Sequence, residues 1–253
     1  MIDDAEATGW AQRFGVDVTQ VRRDHLVSHI LNALPTIDGL PAMAFIGGTS
    51  LCRTHLDGLR VSEDVDLLTS DVEEGADVLT RALGRQLRRE YPDVAVSPPT
   101  RVPRGCRVQL TASDTPPVEV QLIRRQAEDD SLVLELTPAA LRYERLPESV
   151  HLPVPTIETF VAMKYAAFRD RQEPRDLFDL AHLAEAGAFV HGAADIVAEL
   201  TGAPPMATEL RRLPSHTVAT WSPQLNHQTR LRMTPEDARR IVEMAVAQLK
   251  MND

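Results

Sequence analysis

Apolar residues at Val21, Leu26, Val27, Ile30, Leu31 and Leu34 recur close to helical spacing, and the first 35 residues read as helical. Pro41 then precedes a short apolar run of strand length, Ala42 to Ile46, which Gly47-Gly48 breaks. Thr49 and Ser50 can cap a helix through about His55, and Asp57-Gly58 signals a turn. Val65 to Leu68 reads as a second strand, with Asp66 inserted among apolar neighbours. From Glu73 to Tyr91 an amphipathic helix is predicted, with Ala76, Leu79, Leu83 and Leu87 on one face and arginines opposite.

Alternation then takes over. Val94–Val96, Cys106–Leu110 and Val118–Ile123 read as strands, with proline-rich connections at Ser97-Pro98-Pro99 and Thr115-Pro116-Pro117 and a further strand at Leu132–Leu136. Beyond Pro153 and Pro155 the pattern turns helical: Thr156–Arg169, Pro174–Ala186, a region reaching about Leu213, and Thr234–Leu249 with a capping-box-like start at Thr234 and Asp237. Ser215 to Gln228 is polar and reads as loop. The expected class is α+β: a small mixed sheet flanked by helices, with N-terminal helices, over 1–154, then a C-terminal helical lobe over 155–253.

Composition narrows the class. No apolar run approaches the roughly 18 residues of a membrane span. The acidic opening Met1–Glu6 is unlike a secretory signal, and two cysteines, Cys52 and Cys106, make no disulfide framework. No Cys/His spacing suggests zinc. These features point to a reducing cytoplasm. A net charge of −10 argues against indiscriminate nucleic-acid binding. Of 27 basic residues only Lys164 and Lys250 are lysines, a bias expected of a GC-rich bacterial genome. A lysine kept inside a helix against that drift needs a reason.

The chemistry concentrates between Gly47 and Asp66. Residues two apart on a strand share a face, so Asp64 and Asp66 would stand side by side and repel unless a cation lay between them. Magnesium favours such hard oxygen ligands together with substrate phosphates. Gly47-Gly48 lets backbone amides approach an anion, and Thr49 and Ser50 add hydroxyls to the same phosphate cradle. A metal dyad facing a phosphate cradle is equipment for in-line attack on a nucleoside triphosphate.

Gly47-Gly48-Thr49-Ser50-Leu51, His55, Arg60, Ser62 and Asp64-Val65-Asp66-Leu67 resemble the first motif of the AbiEii/AbiGii toxin family. These are nucleotidyltransferases of the DNA polymerase β superfamily, among which the mycobacterial MenT toxins belong. The resemblance implies a third carboxylate on a later strand, for which Val118-Glu119-Val120-Gln121 offers Glu119; an outward-facing strand residue is the plain alternative. It also implies a lysine on a helix followed by an Arg-Asp pair, here Lys164 and Arg175-Asp176. Lys164 would place a point charge on the triphosphate, and Asp176 would hold Lys164 or the nucleotide. Arg60 would pair with a carboxylate or phosphate, and His55 is expected to make a structural hydrogen bond.

By this resemblance the chain is a Mg2+-dependent toxin of a toxin–antitoxin pair. It would transfer a nucleoside monophosphate from an NTP to tRNA 3′ ends, blocking aminoacylation and growth, with a cognate antitoxin encoded nearby. Two alternatives stand beside it: a nucleotidyltransferase acting on a small-molecule or protein hydroxyl, and a catalytically silent binding module of the same fold. The antitoxin would act by phosphorylating Ser62, Thr49 or Ser50, or by steric block.

Overall fold

The computed structural model describes residues 2–61, 63–225, 228 and 232–249. The chain divides into two compact units, one of residues 1–126 and 135–154, the other of 127–134 and 155–253. Among the described residues no helix is long and apolar enough to cross a membrane.

The first unit opens with α1 (Asp4–Phe14) and α2 (Val18–Ala33), whose first turns are closed by Asp3 and Asp17 accepting from Glu6 N and Thr19 N. Strand β1 (Met43–Ile46) leads into a short helix, α3 (Gly47–Leu51), and the chain returns as β2 (Val65–Thr69). Helix α4 (Val72–Leu87) follows, then β3 (Ala95–Val96), β4 (Thr100–Val102), β5 (Gly105–Ala112) and β6 (Thr115–Arg124). The sheet order is β1-β2-β6-β5-β3, with β4 also on β5. The β2–β6 pair is parallel and the other pairs are antiparallel, so the sheet is mixed, as expected.

Alternation along these strands gives the sheet two different faces. Phe45, Val65, Leu67, Val108, Leu110, Val118, Val120 and Leu122 point to one face and join Leu26, Val27, Ile30 and Leu31 of α2 and Leu79, Leu83 and Leu87 of α4 in one core. The register puts Asp66 opposite Gln121, Arg107 opposite Gln121, and Gln109 opposite Glu119 on the other face. This polar face carries the candidate chemistry.

A buried charge cluster ties the unit together. Asp24 on α2 accepts from Arg53 Nη2 at 2.8 Å and from the Tyr143 hydroxyl at 2.8 Å, with Arg142 Nη1 at 3.5 Å. Arg53 also donates to the carbonyl of Ala140, which ends β7 (Leu134–Ala140); β7 pairs with β8 (Ser149–Pro155) in a separate two-stranded ribbon. Burial opposes ionisation of Asp24, but the two guanidiniums and the tyrosine outweigh it and hold its carboxyl below the usual range.

The second unit is helical: α5 (Ile157–Arg171), α6 (Pro174–Glu185), α7 (His191–Thr201), α8 (Ser215–Leu225) and α9 (Pro235–Leu249). Thr156 caps α5, and Thr234 exchanges hydrogen bonds with Asp237 at the start of α9.

Several expectations change. The stretch Ser215–Leu225 is helix, not loop, because Thr217, Trp221 and Leu225 recur at four-residue spacing and are buried amid polar neighbours. The expected helix through His55 ends at Leu51. Thr115-Pro116-Pro117 lies within β6, beside a register shift in β5 that interrupts the ladder where a proline has no N–H to give. Strand β8, with Pro153 and Pro155, and strand β4 were not foreseen; prolines are tolerated in β8 because it belongs to a two-stranded ribbon.

Candidate active site

The site begins with the turn from β1 into α3. Gly47 has φ +80°, a left-handed conformation that side chains resist, and a Cβ placed on it would collide with Oδ2 of Asp66. A Cβ on Gly48 would collide with Nη2 of Arg60. The two glycines therefore let a carboxylate and a guanidinium approach the backbone directly. Arg60 is buried, and Asp66 is half-buried beside the β1–β2 pairing of Ile46 with Asp66.

The two hydroxyls that follow are committed to holding this turn. Ser50, fully buried, donates to the carbonyl of Phe45 at 2.7 Å, and Thr49 donates to the carbonyl of Asp64. Ser50 thus braces the strand end rather than presenting its hydroxyl to a phosphate, and Thr49 ties α3 to the segment that carries the aspartates. Both buried groups satisfy backbone acceptors that the irregular chain leaves open.

Asp64 sits just before β2 and is exposed, so of the expected pair only Asp66 lies within the strand. Ser62 lies outside the described residues. Glu119 lies on the same sheet face as Asp66, two residues before Gln121, the register partner of Asp66. Arg107 on β5 pairs with it, Nη1 to Oε1 at 3.2 Å. Among the described residues, the three-ligand group at metal-binding spacing is formed elsewhere, by His25, His29 and Glu90, so Glu119 is not drawn together with Asp64 and Asp66 here. The donor set of Asp64 and Asp66 nevertheless suits magnesium: hard carboxylate oxygens, one just before β2 and one within it, the latter seated where only glycine permits. His55, at the end of the turn, lies 3.7 Å from Glu135.

In the second unit Lys164 is buried. Its Nζ lies 2.7 Å from Asp179 Oδ2 and 3.2 Å from Asp176 Oδ1. Arg171 completes the group, with Nε 2.7 Å from Asp176 Oδ2 and Nη2 2.9 Å from Oδ1. Asp176 and Asp179 are both fully buried, one turn apart at the start of α6. Asp176 does hold Lys164. Arg171, two helical turns beyond Lys164 on α5, was missed. Arg169 is engaged by Glu209 at 2.9 Å.

A family described as "Nucleotidyl transferase AbiEii toxin, Type IV TA system" matches residues 29–242. The chain belongs to this family. The matched span contains Gly47, Gly48, Asp64, Asp66, Glu119, Lys164 and Asp176, so an AbiEii nucleotidyltransferase toxin carries both charged groups described above. Two solved structures share its fold. MenT4, a nucleotidyltransferase toxin from Mycobacterium tuberculosis, superposes with a TM-score of 0.61 at 21% identity, covering 98% of this chain and 88% of its own. A putative nucleotidyltransferase from H. pylori gives 0.56 at 16% identity, covering 94% and 99%. Among curated proteins, no sequence matches this chain.

Proposed function

We propose that this AbiEii-family chain is a Mg2+-dependent toxin that moves a nucleoside monophosphate from an NTP onto the 3′-terminal hydroxyl of tRNA. The observation that carries this reading is the carboxylate of Asp66 seated on the side-chain-free Gly47, with Glu119 on the same sheet face. A structural aspartate has no need of such a seat.

The acceptor oxygen would bond to the α-phosphorus while the bond to the β-phosphate oxygen breaks and pyrophosphate leaves. Asp64 and Asp66 would hold the metal, which when bound neutralises charge on the phosphates. Glu119 would complete that ligand set or take the acceptor's proton. In either case it must exchange its Arg107 pairing for the new contact, which an ion pair this exposed permits. Gly47 and Gly48 admit the Asp66 carboxylate and the Arg60 guanidinium against the turn, so that Arg60 holds positive charge there. Within the second unit, Lys164 and Asp176 are assigned to handling the nucleotide's charge, on the strength of the family resemblance. An antitoxin encoded nearby would restrain the enzyme.

Transfer to a small-molecule or protein hydroxyl is the second reading, favoured by the net charge of −10, which offers little general attraction to RNA. The test incubates purified protein, Mg2+ and each α-labelled NTP with total tRNA. Label on RNA of tRNA length, lost when the terminal ribose is oxidised with periodate, is expected. Label only on small molecules or protein would establish the second reading, and no label with any NTP would overturn both.

A further inference from the structure

Away from the candidate active site, on the helices that cover the sheet's apolar face, three ligand-type side chains converge. His25 and His29 stand four residues apart on α2, hence on one side of it. Their rings lie edge to face with centroids 4.6 Å apart. Glu90 reaches them from the turn that follows α4. One ligand atom from each of the three lies within 4.8 Å of the others. Tetrahedral zinc with nitrogen and oxygen bonds of about 2.0–2.2 Å sets its ligands roughly 3.3 Å apart, so modest side-chain rotation closes the group.

Two further features point to a metal rather than to incidental packing. The Nε2 of His29 is buried with no hydrogen-bond partner, a cost that proteins seldom carry without compensation. The Nδ1 of His25 is engaged by the Tyr91 hydroxyl, which leaves Nε2 to bind and fixes the ring. That is the outer contact metal-binding histidines characteristically have.

We infer that His25, His29 and Glu90 bind one divalent transition-metal ion of the zinc class, independent of the magnesium site and joining α2 to the end of α4. Two imidazoles and one carboxylate select zinc-like ions over magnesium. The site lies where the two helices that build the core meet, so its effect is on stability. The His-x-x-x-His spacing stands in the sequence, but the third ligand is remote along the chain, and the sequence alone did not suggest zinc.

The test uses untagged full-length protein stripped with EDTA, titrated with Zn2+ by calorimetry and with Co2+ by visible absorption. One Zn2+ per chain, a tetrahedral Co2+ spectrum and a raised melting temperature are expected. His29→Gln and Glu90→Gln, each melting cooperatively, should weaken binding at least about 10-fold, while Asp64→Asn and Asp66→Asn leave it intact. Absence of saturable one-to-one zinc binding by the wild type would overturn the inference. So would binding that persists in both His29→Gln and Glu90→Gln or follows the aspartates instead.

Discussion

The two units treat their acidic pairs in opposite ways. In the helical unit Asp176 and Asp179 are fully buried, and Lys164 and Arg171 match them at 2.7–3.2 Å. Two cations meet two anions, and the group is neutral within itself. In the sheet unit Asp64 is exposed just before β2, and Asp66 is half-exposed within it. The first arrangement is what a chain builds when charge must be tolerated inside a fold. The second leaves two acids where solvent, and therefore a ligand, can reach them. Burial, rather than the presence of acids, distinguishes the two groups.

Substitutions can break that distinction. The largest effect expected is on catalysis in the sheet unit. Asp64→Asn should lower nucleotide transfer by on the order of 10²–10³-fold or more, the scale on which removal of one charge-stabilising group acts. Its melting temperature should stay the same or rise slightly. Gly47→Ala should also suppress transfer, by displacing Asp66, while the left-handed backbone adds about 1–2 kcal/mol of strain. Transfer assays beside thermal melts read both, and a Gly47→Ala enzyme of full activity would contradict the seat assigned to Asp66.

In the helical unit the balance reverses. Lys164→Met removes the cation between two buried carboxylates and should cost about 3–5 kcal/mol in urea unfolding. Lys164→Arg should not restore activity, since a planar guanidinium cannot reproduce the contacts of a compact ammonium to both aspartates. An arginine variant as active and as stable as wild type would show that only charge matters there.

Acid offers a milder probe, through Asp24. Its carboxyl is held below its unfolded value, so its contribution to stability is present above about pH 4 and is lost as pH falls through the folded-state value. Unfolding free energy measured between pH 6 and 3 should therefore decline, and less steeply in Asp24→Asn. The smallest effect belongs to Arg107→Gln. Its ion pair with Glu119 is substantially exposed and should contribute under about 1 kcal/mol. If Glu119 serves the metal or the acceptor proton, Arg107→Gln should preserve transfer and Glu119→Gln should reduce it. Equal loss in both would make the pair itself the functional unit.

How much of this was legible in the sequence follows from how local each signal is. Asp66 stood out because a polar residue interrupts an apolar strand, and the Gly47-Gly48 turn lies only a short loop away. Glu119 was visible by alternation, but its Arg107 partner required the antiparallel register of β5 and β6. Lys164 stood out by rarity, yet its full pairing needed the packing of α5 on α6. Helix α8 was missed because only Thr217, Trp221 and Leu225 carry its buried face. Ser50 was misread because a hydroxyl after a glycine turn serves a backbone carbonyl as readily as a phosphate, and only coordinates distinguish them.

The central claim, that the Asp64–Asp66 face is reactive and not structural, is tested most directly by assaying wild type and Asp66→Asn side by side. Each is given α-labelled NTP, total tRNA and Mg2+, and each is also unfolded in urea. The account predicts labelled tRNA from the wild type only, abolished by EDTA, with the variant at least as stable as its parent. Transfer by Asp66→Asn at the wild-type rate, or a variant that loses activity only because it has unfolded, would contradict it.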